Sequence, residues 1–290
     1  MSKKRRQSEY GKTMWQEAWF NFRHNRMGMI GLVMLILLVL VAVFAEQLAP
    51  YGYDDQNLIR RFIPPCAEFP FGTDHAGRDI LSRIMHGAKY SLLIGTAAAS
   101  FSCIVGVVLG AIAGFFNDYS DNIIMRLMDM LMAIPSTLLA ISIIAALGNG
   151  IQNVVLAVGI GSVPQYARQV RASVLSIKDQ EYIEAATCIG SSKLRTLFRH
   201  VLPNCLAPII VTMTISVSGG ILAAASLSFI GLGIQPPTPE WGAMLSVGRP
   251  YIRDSWWVVT FPGIAIMYVI FALNMVGDGL RDVLDPRLKK

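Results

Sequence analysis

Long apolar runs constrain the fold of this chain more than any other feature of its sequence. A membrane-spanning α-helix needs about 20 mostly apolar residues, because the hydrocarbon core of a bilayer is about 30 Å thick. The run at 130–167 is nearly twice that length and is interrupted by Gly-Asn-Gly at 148–150, which predicts two antiparallel helices with a tight outer turn. Single runs lie at 28–48, 91–117, 207–233 and 256–276. The sequence therefore predicts an all-α polytopic membrane protein with about six transmembrane helices.

The composition agrees with a chain that lies mostly in a bilayer. Hydrophobic residues make up 53% of it and charged residues only 15%, compared with roughly 25% charged residues in soluble domains. The net charge of +6 does not indicate nucleic-acid binding, because the basic residues lie beside the apolar runs, where membrane lipid is the expected contact. Cysteines and histidines are too scattered to predict a disulfide framework or a metal site. They are Cys66, Cys103, Cys188, Cys205, His24, His75, His86 and His200.

The distribution of lysine and arginine predicts the orientation. A basic segment at 1–27 precedes the first apolar run, which is too long for the apolar core of a signal peptide and therefore predicts a retained anchor. With this segment inside, basic residues are more frequent inside than outside, as the positive-inside rule requires. The predicted organisation is a cytoplasmic segment at 1–27, a first transmembrane helix at 28–48, an extracytoplasmic loop with an interfacial helix at 49–90, a five-helix membrane domain at 91–277 that includes a cytoplasmic loop at 168–206, and a cytoplasmic tail at 278–290.

The predicted cytoplasmic loop at 168–206 is longer than a connection between two helices needs. Its pattern predicts a helix, a break and a second helix. Ser176 and Asp179 form a candidate capping box for the first helix. Gly190 suits the left-handed position after its end, and one of the two serines that follow is a candidate cap for the second helix, which Pro203 would end.

The same loop resembles the EAA loop of ABC importer permeases. The resemblance rests on Glu184-Ala185-Ala186, followed after three residues by Gly190 and later by Leu202-Pro203. His200 stands where the general family pattern has isoleucine, and the wording F-R-H-V-L-P-N is similar to the peptide-importer branch. The segments 71–79 and 277–287 agree with that branch. Together they make the chain similar to the shorter, C-type permease subunit of dipeptide, oligopeptide, glutathione and nickel importers.

This resemblance implies a type I ABC importer permease fold in a bacterial cytoplasmic (inner) membrane, with both termini in the cytoplasm. It implies a second, homologous permease, two cytoplasmic ABC ATPases and an extracytoplasmic substrate-binding protein as partners. In the family, the EAA loop is the coupling helix that docks into a groove on an ATPase. The residues to which this ATPase-coupling role is carried over are Glu184, Ala185, Ala186, Gly190, Leu202 and Pro203.

The chain itself is not predicted to be an enzyme. It lacks the G-x-x-x-x-G-K-[ST] phosphate loop, so no cofactor is expected in it, and ATP and Mg are expected in the partner ATPases. The resemblance implies a dipeptide or oligopeptide as cargo, with glutathione or nickel as alternatives. A stand-alone secondary transporter is an alternative from another class, which should show intramembrane carboxylates or broken helices at the midplane and an internal repeat, and the sequence shows neither clearly. A membrane anchor or scaffold would predict no transport defect on deletion.

Two sets of polar residues have both a structural and a functional interpretation. In the segment 72–79, which we call the outer-loop motif, charged side chains could pair with one another as a scaffold, the interpretation we favour, or contact the binding protein. Its candidate residues are Gly72, Thr73, Asp74, Gly77, Arg78 and Asp79. In the fifth predicted span, hydroxyl groups could bond within the helices or line a pore. These residues are Thr212, Thr214, Ser216, Ser218, Ser226 and Ser228.

Overall fold

The computed structural model describes residues 14–284, so parts of the predicted N-terminal segment and C-terminal tail lie outside the described residues. Within that range the chain is helical and has no strand. The helices are α1 (Met14–His24), α2 (Arg26–Val43), α3 (Ala45–Leu48), α4 (Ile80–Phe115), α5 (Asp118–Ala133), α6 (Ser136–Leu147), α7 (Ile151–Lys178), α8 (Glu181–Cys188), α9 (Lys193–Thr196), α10 (Leu202–Phe229), α11 (Trp241–Gly248) and α12 (Trp257–Leu284). The all-α prediction is confirmed.

Four helical stretches of the described chain are long and apolar enough to cross a membrane: α2, α4, Lys193–Phe229 and α12. The pair α5 and α6 is a fifth if it forms one broken span. Helix α7 has 28 residues, but polar side chains such as Gln165 and Gln169 set it apart from these apolar helices. The predicted number of about six is reached only when α7 is included.

The third predicted span is a bent pair of helices and not one straight helix. Helices α5 and α6 meet at an angle of 90°, and Ile134 between them has an extended backbone with φ −95° and ψ 127°. Pro135 explains the bend, because a proline disfavours the helical conformation of the preceding residue and has no backbone N–H to donate. The predicted tight turn follows α6, where Gly148 and Gly150 have φ values of 86° and 151°.

The second predicted span begins earlier than the apolar run does. Helix α4 begins at Ile80 and runs for 36 residues, so the predicted interfacial helix is the first part of this long helix, and the boundary placed at residue 90 falls inside it. The Asp79 carboxylate caps α4 by accepting a hydrogen bond from the backbone N–H of Ser82 at 2.8 Å. Arg83 in the first turn is buried, so protein rather than lipid surrounds its charge.

Helices α4 and α7 form the centre of the bundle and approach closely at glycines. A Cβ atom added at Gly106 would lie 2.4 Å from Cβ of Tyr166, and one added at Gly110 would lie 2.4 Å from the carbonyl oxygen of Ala167. These distances are far shorter than van der Waals contact, so only glycine permits this packing. The glycine-rich second span is therefore an interface between helices.

Two ion pairs join α5 to α7. Arg168 pairs with Asp129, and Arg171 pairs with Asp121. The i,i+3 spacing of Arg126 and Asp129 predicts a local pair instead, and that prediction is wrong about the partner of Asp129. Packing of the bent α5 against α7 brings Arg168 within reach.

The two ends of α4 mark two different ends of the bundle. At the loop end, near Ile80, the segments 49–79 and 230–256 meet, and the rings of Phe71 and Phe261 stack with 4.2 Å between centroids. The opposite end, near Phe115, is called the bend end because it carries the break at Gly190 between α8 and α9. There, helix α8 packs through Ile183 into an apolar cluster with α7 and α10.

Candidate functional site

The first half of the predicted coupling loop is a continuation of α7 and not a new helix. Helix α7 extends to Lys178, and the Ser176 hydroxyl donates to the carbonyl of Ser173 in the same helix. The predicted capping box of Ser176 and Asp179 is therefore wrong. Helix α8 follows after Gln180, whose side chain makes no capping hydrogen bond.

Gly190 ends α8 in the conformation that the sequence predicts. Its φ is +89°, its N–H donates to the carbonyl of Thr187 at 3.0 Å, and the N–H of Ser191 donates to the carbonyl of Ala186 at 3.1 Å. This pair of hydrogen bonds is the Schellman motif. Ser192 then caps α9, because its Oγ accepts from the N–H of Arg195 at 3.4 Å. The predicted break and cap are confirmed.

Pro203 does not end a helix as the sequence predicts, because it lies inside the continuous helical stretch Lys193–Phe229. The chain after α9 continues through a π-helical segment, Leu197–Val201, and enters α10 at Leu202. Pro203 lies in the first turn of α10, directly after the π-helical segment, so its missing N–H falls where the regular α-helical hydrogen bonding already changes. The two-residue motif Leu202-Pro203 therefore marks the entry into a long membrane helix.

The flank of α8 formed by small residues is only half exposed. Glu184 and Ala185 are exposed, whereas Ala186 is buried. The exposed surface beside them is apolar instead: Ile189, Leu194 and Phe198 are 87%, 58% and 65% exposed. We call these three residues the bend patch.

The bend patch lies among positive charges. Lys193, Arg195 and Arg199 are exposed and interleave with it in the sequence. Charged groups at this density do not enter hydrocarbon, so the patch faces water or another protein. The sequence analysis did not identify this patch, because it singled out the small residues Ala185 and Ala186. The available signal was the presence of Ile189, Leu194 and Phe198 in an otherwise polar segment.

Two cavities flank α10 and together accommodate half of the predicted pore residues. The α6 cavity, of about 600 Å³, lies between α6, α7 and α10, and Ser216 and Ser226 line it. The α12 cavity, of about 610 Å³, lies between α7, α10 and the end of α12, and Thr212 lines it. Ile215 lines both cavities and so stands where they meet.

The other three predicted pore residues line neither cavity. Thr214 donates to the carbonyl of Ile210 in its own helix at 3.0 Å. Ser218 is buried and lies 3.0 Å from Oδ1 of Asn274 in α12. Ser228 is buried, and its Oγ accepts from the N–H of Ile234 at 3.1 Å. Their hydroxyl groups bond within α10 or to neighbouring segments, as membrane helices commonly use them.

Helix α7 supplies the polar walls that the sequence analysis left out. Ser162 and Gln165 line the α6 cavity, and Gln169, Ser173 and Ser176 line the α12 cavity. Their spacing of three or four residues places them on one face of the helix. That periodicity was visible in the sequence as a signal for a polar stripe. The Gln169 side chain also joins α7 to α10, because its Nε2 donates to a carbonyl of α10 at 2.9 Å.

The outer-loop motif forms a buried turn at the loop end. The Asp74 carboxylate accepts from the N–H of Ala76 at 2.8 Å and from Nε of Arg78 at 2.8 Å, and Nε of Arg83 lies 3.8 Å away. Asp74, Arg78 and Arg83 are all buried. Burial is the largest cause that lowers the pKa of neighbouring His75, while Asp74 raises it. The imidazole is therefore neutral at pH 7 and adds no third positive charge.

The other motif residues hold this turn against the bundle. The backbone carbonyl of Thr73 accepts from Nε1 of Trp257 at 3.2 Å. A Cβ added at Gly72 would lie 2.7 Å from the Trp257 ring, and one at Gly77 would lie 1.8 Å from the carbonyl oxygen of Asn57. Both glycines have positive φ, 75° and 73°. These contacts favour the scaffold interpretation of the motif.

Comparison with known proteins agrees with this architecture. Residues 106–290 match the family model described as binding-protein-dependent transport system inner membrane component, and residues 13–65 match the N-terminal TM domain of oligopeptide transport permease C. The di/tripeptide transport system permease protein DppC of Pseudomonas aeruginosa is 48% identical over 280 residues, covering 94% of this chain and 92% of that protein. The glutathione transport system permease protein GsiD of Escherichia coli is 45% identical over 282 residues, covering 96% and 92%.

A solved structure has the same fold. The MetNI methionine ABC transporter in an inward-facing conformation contains a chain that aligns with a TM-score of 0.59 at 18% identity, covering 70% of this chain and 97% of that one. The family model covers most of the chain, and the relatives cover nearly all of it. The chain therefore belongs to the family of inner membrane components of binding-protein-dependent transport systems.

Proposed function

We propose that this chain is one of two permease subunits of an ATP-driven peptide importer, and that α8 with the bend patch transmits the movement of a cytoplasmic ATPase to the membrane helices. The exposed bend patch is the observation that carries this proposal. An exposed apolar surface with a polar rim is typical of a protein interface. Helices α7 and α10 flank the segment 179–201, which contains α8 and the bend patch, and they also line both cavities. A shift of this segment would therefore move the cavity walls.

Dipeptides and oligopeptides are the proposed cargo. Three relatives that are 41–48% identical are named for dipeptide or di/tripeptide transport. Glutathione is the second candidate, because a relative that is 45% identical is named for its transport. Uptake of a labelled dipeptide by vesicles that contain the whole transporter distinguishes them: excess unlabelled dipeptide should abolish uptake, and an equal excess of glutathione should leave most of it.

The proposed path follows the two cavities along α10. Its walls are uncharged and polar at Ser162, Gln165 and Ser216, and among the described residues Arg281 is the one charged side chain that lines the α12 cavity. The described residues that line the α6 cavity include no charged side chain, and a wall without fixed charges does not trap a zwitterionic peptide. A second permease would close the open side of both cavities, two ATPases would hold ATP and Mg, and an extracytoplasmic binding protein would deliver the cargo.

Replacing Gly190 with valine is expected to uncouple ATP hydrolysis from transport. A residue with a Cβ in this left-handed conformation costs about 1–2 kcal/mol, and a β-branched residue costs more. Apart from its chain neighbours, no atom of the described residues lies within 4 Å of the added Cβ, so the strain is relieved by opening the break at Gly190 and not by disturbing the core. In vesicles, the binding protein should stimulate ATP hydrolysis and uptake much less than in the unmodified complex.

Gly148→Val is the matched control for this experiment. Gly148 has φ +86° and equally empty surroundings, but it lies in the turn between α6 and α7, away from the bend. Co-purification of both permeases shows whether each variant assembles. Normal stimulated hydrolysis and uptake in an assembled Gly190→Val complex would contradict the coupling role.

The charge distribution supports a multi-pass inner membrane protein with its bend end and both termini in the cytoplasm. Cys66 at the loop end and Cys188 in α8 are both exposed. We therefore expect Cys66 to react with an impermeant thiol reagent in intact cells, and Cys188 to react only after the membrane is opened. Replacing Cys103 and Cys205 with alanine removes the other thiols. Labelling of Cys188 in intact cells would reverse the orientation.

A further inference from the structure

The most exposed large hydrophobic side chain of the described residues lies in the loop-end segment and not on a membrane helix. Ile59 is 95% exposed, and its neighbour Leu58 is 69% exposed. Together with Arg60 and Arg61 they form what we call the 58–61 turn, whose first three residues are a 3-10 turn. Water alone gives no reason for two adjacent apolar side chains to stand outward.

Insertion into the hydrocarbon core does not explain this exposure. The 58–61 turn contains two arginines and follows Asp54 and Asp55, which are exposed. Transferring so many charges into hydrocarbon costs several kcal/mol. The 58–61 turn therefore lies outside the hydrocarbon core, where a protein partner can reach its apolar tip.

The 58–61 turn is held rigidly by the outer-loop motif. The N–H of Asn57 donates to the carbonyl of Ala76 at 3.1 Å, and the Asn57 side chain accepts from the N–H of Ile59 at 3.1 Å. The Thr73 hydroxyl donates to the carbonyl of Arg60. Gly77 lies directly against the carbonyl of Asn57. A tip whose backbone is already ordered loses little conformational entropy on binding.

Exposed arginines adjoin the tip, in a segment that also carries the exposed acids Asp54, Asp55 and Glu68. Arg60 pairs with Glu68 at 3.4 Å, but Arg61 lies over the ring of Phe62 at 5.5 Å and has no carboxylate partner among the ion pairs of the described residues. Phe62 in turn contacts Tyr251 with 4.7 Å between ring centroids. Arg253, two residues further, is exposed and likewise unpaired in this part of the structure.

We propose that the 58–61 turn is the docking point for the extracytoplasmic binding protein, which would receive Leu58 and Ile59 in an apolar recess with an acidic rim. This inference rests on the proposed function. The apolar tip would supply affinity, and Arg61 and Arg253 would steer the approach and select the orientation. The buried outer-loop motif acts as the support that positions this tip and does not itself contact the partner.

Binding is measured in vesicles that contain the assembled transporter, as the binding-protein concentration that half-maximally stimulates ATP hydrolysis. Ile59→Asp should raise this concentration about tenfold or more, since a central anchor contributes at least 1.4 kcal/mol, while Ile59→Leu should leave it nearly unchanged. Ala67→Asp, in an exposed position of the same loop, adds the same charge without removing the anchor and should have little effect. An unchanged concentration for Ile59→Asp overturns the proposal.

A labelling experiment covers the case in which Ile59→Asp does not assemble. With Cys66 replaced by serine, the binding protein should slow the reaction of Ile59→Cys with an impermeant thiol reagent and should not slow that of Ala67→Cys. Equal rates with and without binding protein overturn the docking site, as does slow labelling in vesicles before any binding protein is added, which would indicate burial in lipid or in the second permease. If the binding protein fails to stimulate the unmodified complex, the proposed function fails instead.

Discussion

Asp74→Ala is expected to destabilise the membrane domain by about 3–5 kcal/mol, the cost of removing one partner from a buried charge cluster. Arg78 and Arg83 are each only 4% exposed, and Asp74 is the carboxylate that lies within 4 Å of both. Without it, two guanidinium groups repel each other in a site that excludes water. Asp54 remains 3.6 Å from Arg78, but it is largely exposed and reaches only one of them.

The measurement is the thermal unfolding midpoint and the yield of monodisperse protein after extraction in detergent. Glu68→Ala is the matched control, because it removes the partner of Arg60 from a pair in which both side chains are largely exposed. Such surface pairs contribute about 0–1 kcal/mol, so the unfolding midpoint of Glu68→Ala should lie near that of the unmodified protein. Equal midpoints for the two variants would mean that the Asp74 cluster does not stabilise the loop end.

Gly110→Ala is expected to separate α4 from α7 and lower stability by about 1–3 kcal/mol or more. The added methyl group would lie 2.4 Å from the carbonyl oxygen of Ala167 and 2.9 Å from Cβ of Val170. Neither atom belongs to a flexible side-chain end, so the clash is relieved only by moving one helix. That movement opens the interface at the centre of the bundle.

Gly263→Ala is the matched control, with the opposite expected sign. Gly263 lies inside α12, and an added Cβ there meets no atom within 4 Å. The substitution keeps only the gain in helix propensity, about 1 kcal/mol. The unfolding midpoint of Gly110→Ala should therefore be lower than that of the unmodified protein, and the midpoint of Gly263→Ala should be equal or higher. A Gly110→Ala midpoint equal to that of Gly263→Ala would contradict the packing described at this interface.

Local conformation in this chain followed from local sequence where a residue has few options. Gly190 has the positive φ expected after a short helix, and Ser192 caps the next helix, because both depend on backbone groups within a few residues. The bend at Pro135 depends on the same local chemistry. Its signal was present in the sequence, and the length of the apolar run concealed it.

Predictions that depended on distant partners were less successful. Ser176 and Asp179 have the spacing of a capping box. Helix α7 nevertheless continues through Ser176, because Val170 and Val174 of the same helix pack into the bundle core. Pro203 looks like a terminator when only α9 is considered, but it serves as the first turn of α10. Each residue permits two local structures, and packing against other helices selects one.

The sequence by itself determined that this chain is a helical membrane protein, which way its charges favour its insertion, and which loop carries the coupling spacing, since these follow from apolar run length, charge counts and short-range backbone chemistry. Only the tertiary structure decided which hydroxyl groups of α10 face a cavity, that Asp129 pairs with Arg168, and that Ile59 stands exposed on a buried scaffold. These features require residues far apart in the chain to meet, and the packing of whole helices, not the neighbouring sequence, determines where they do.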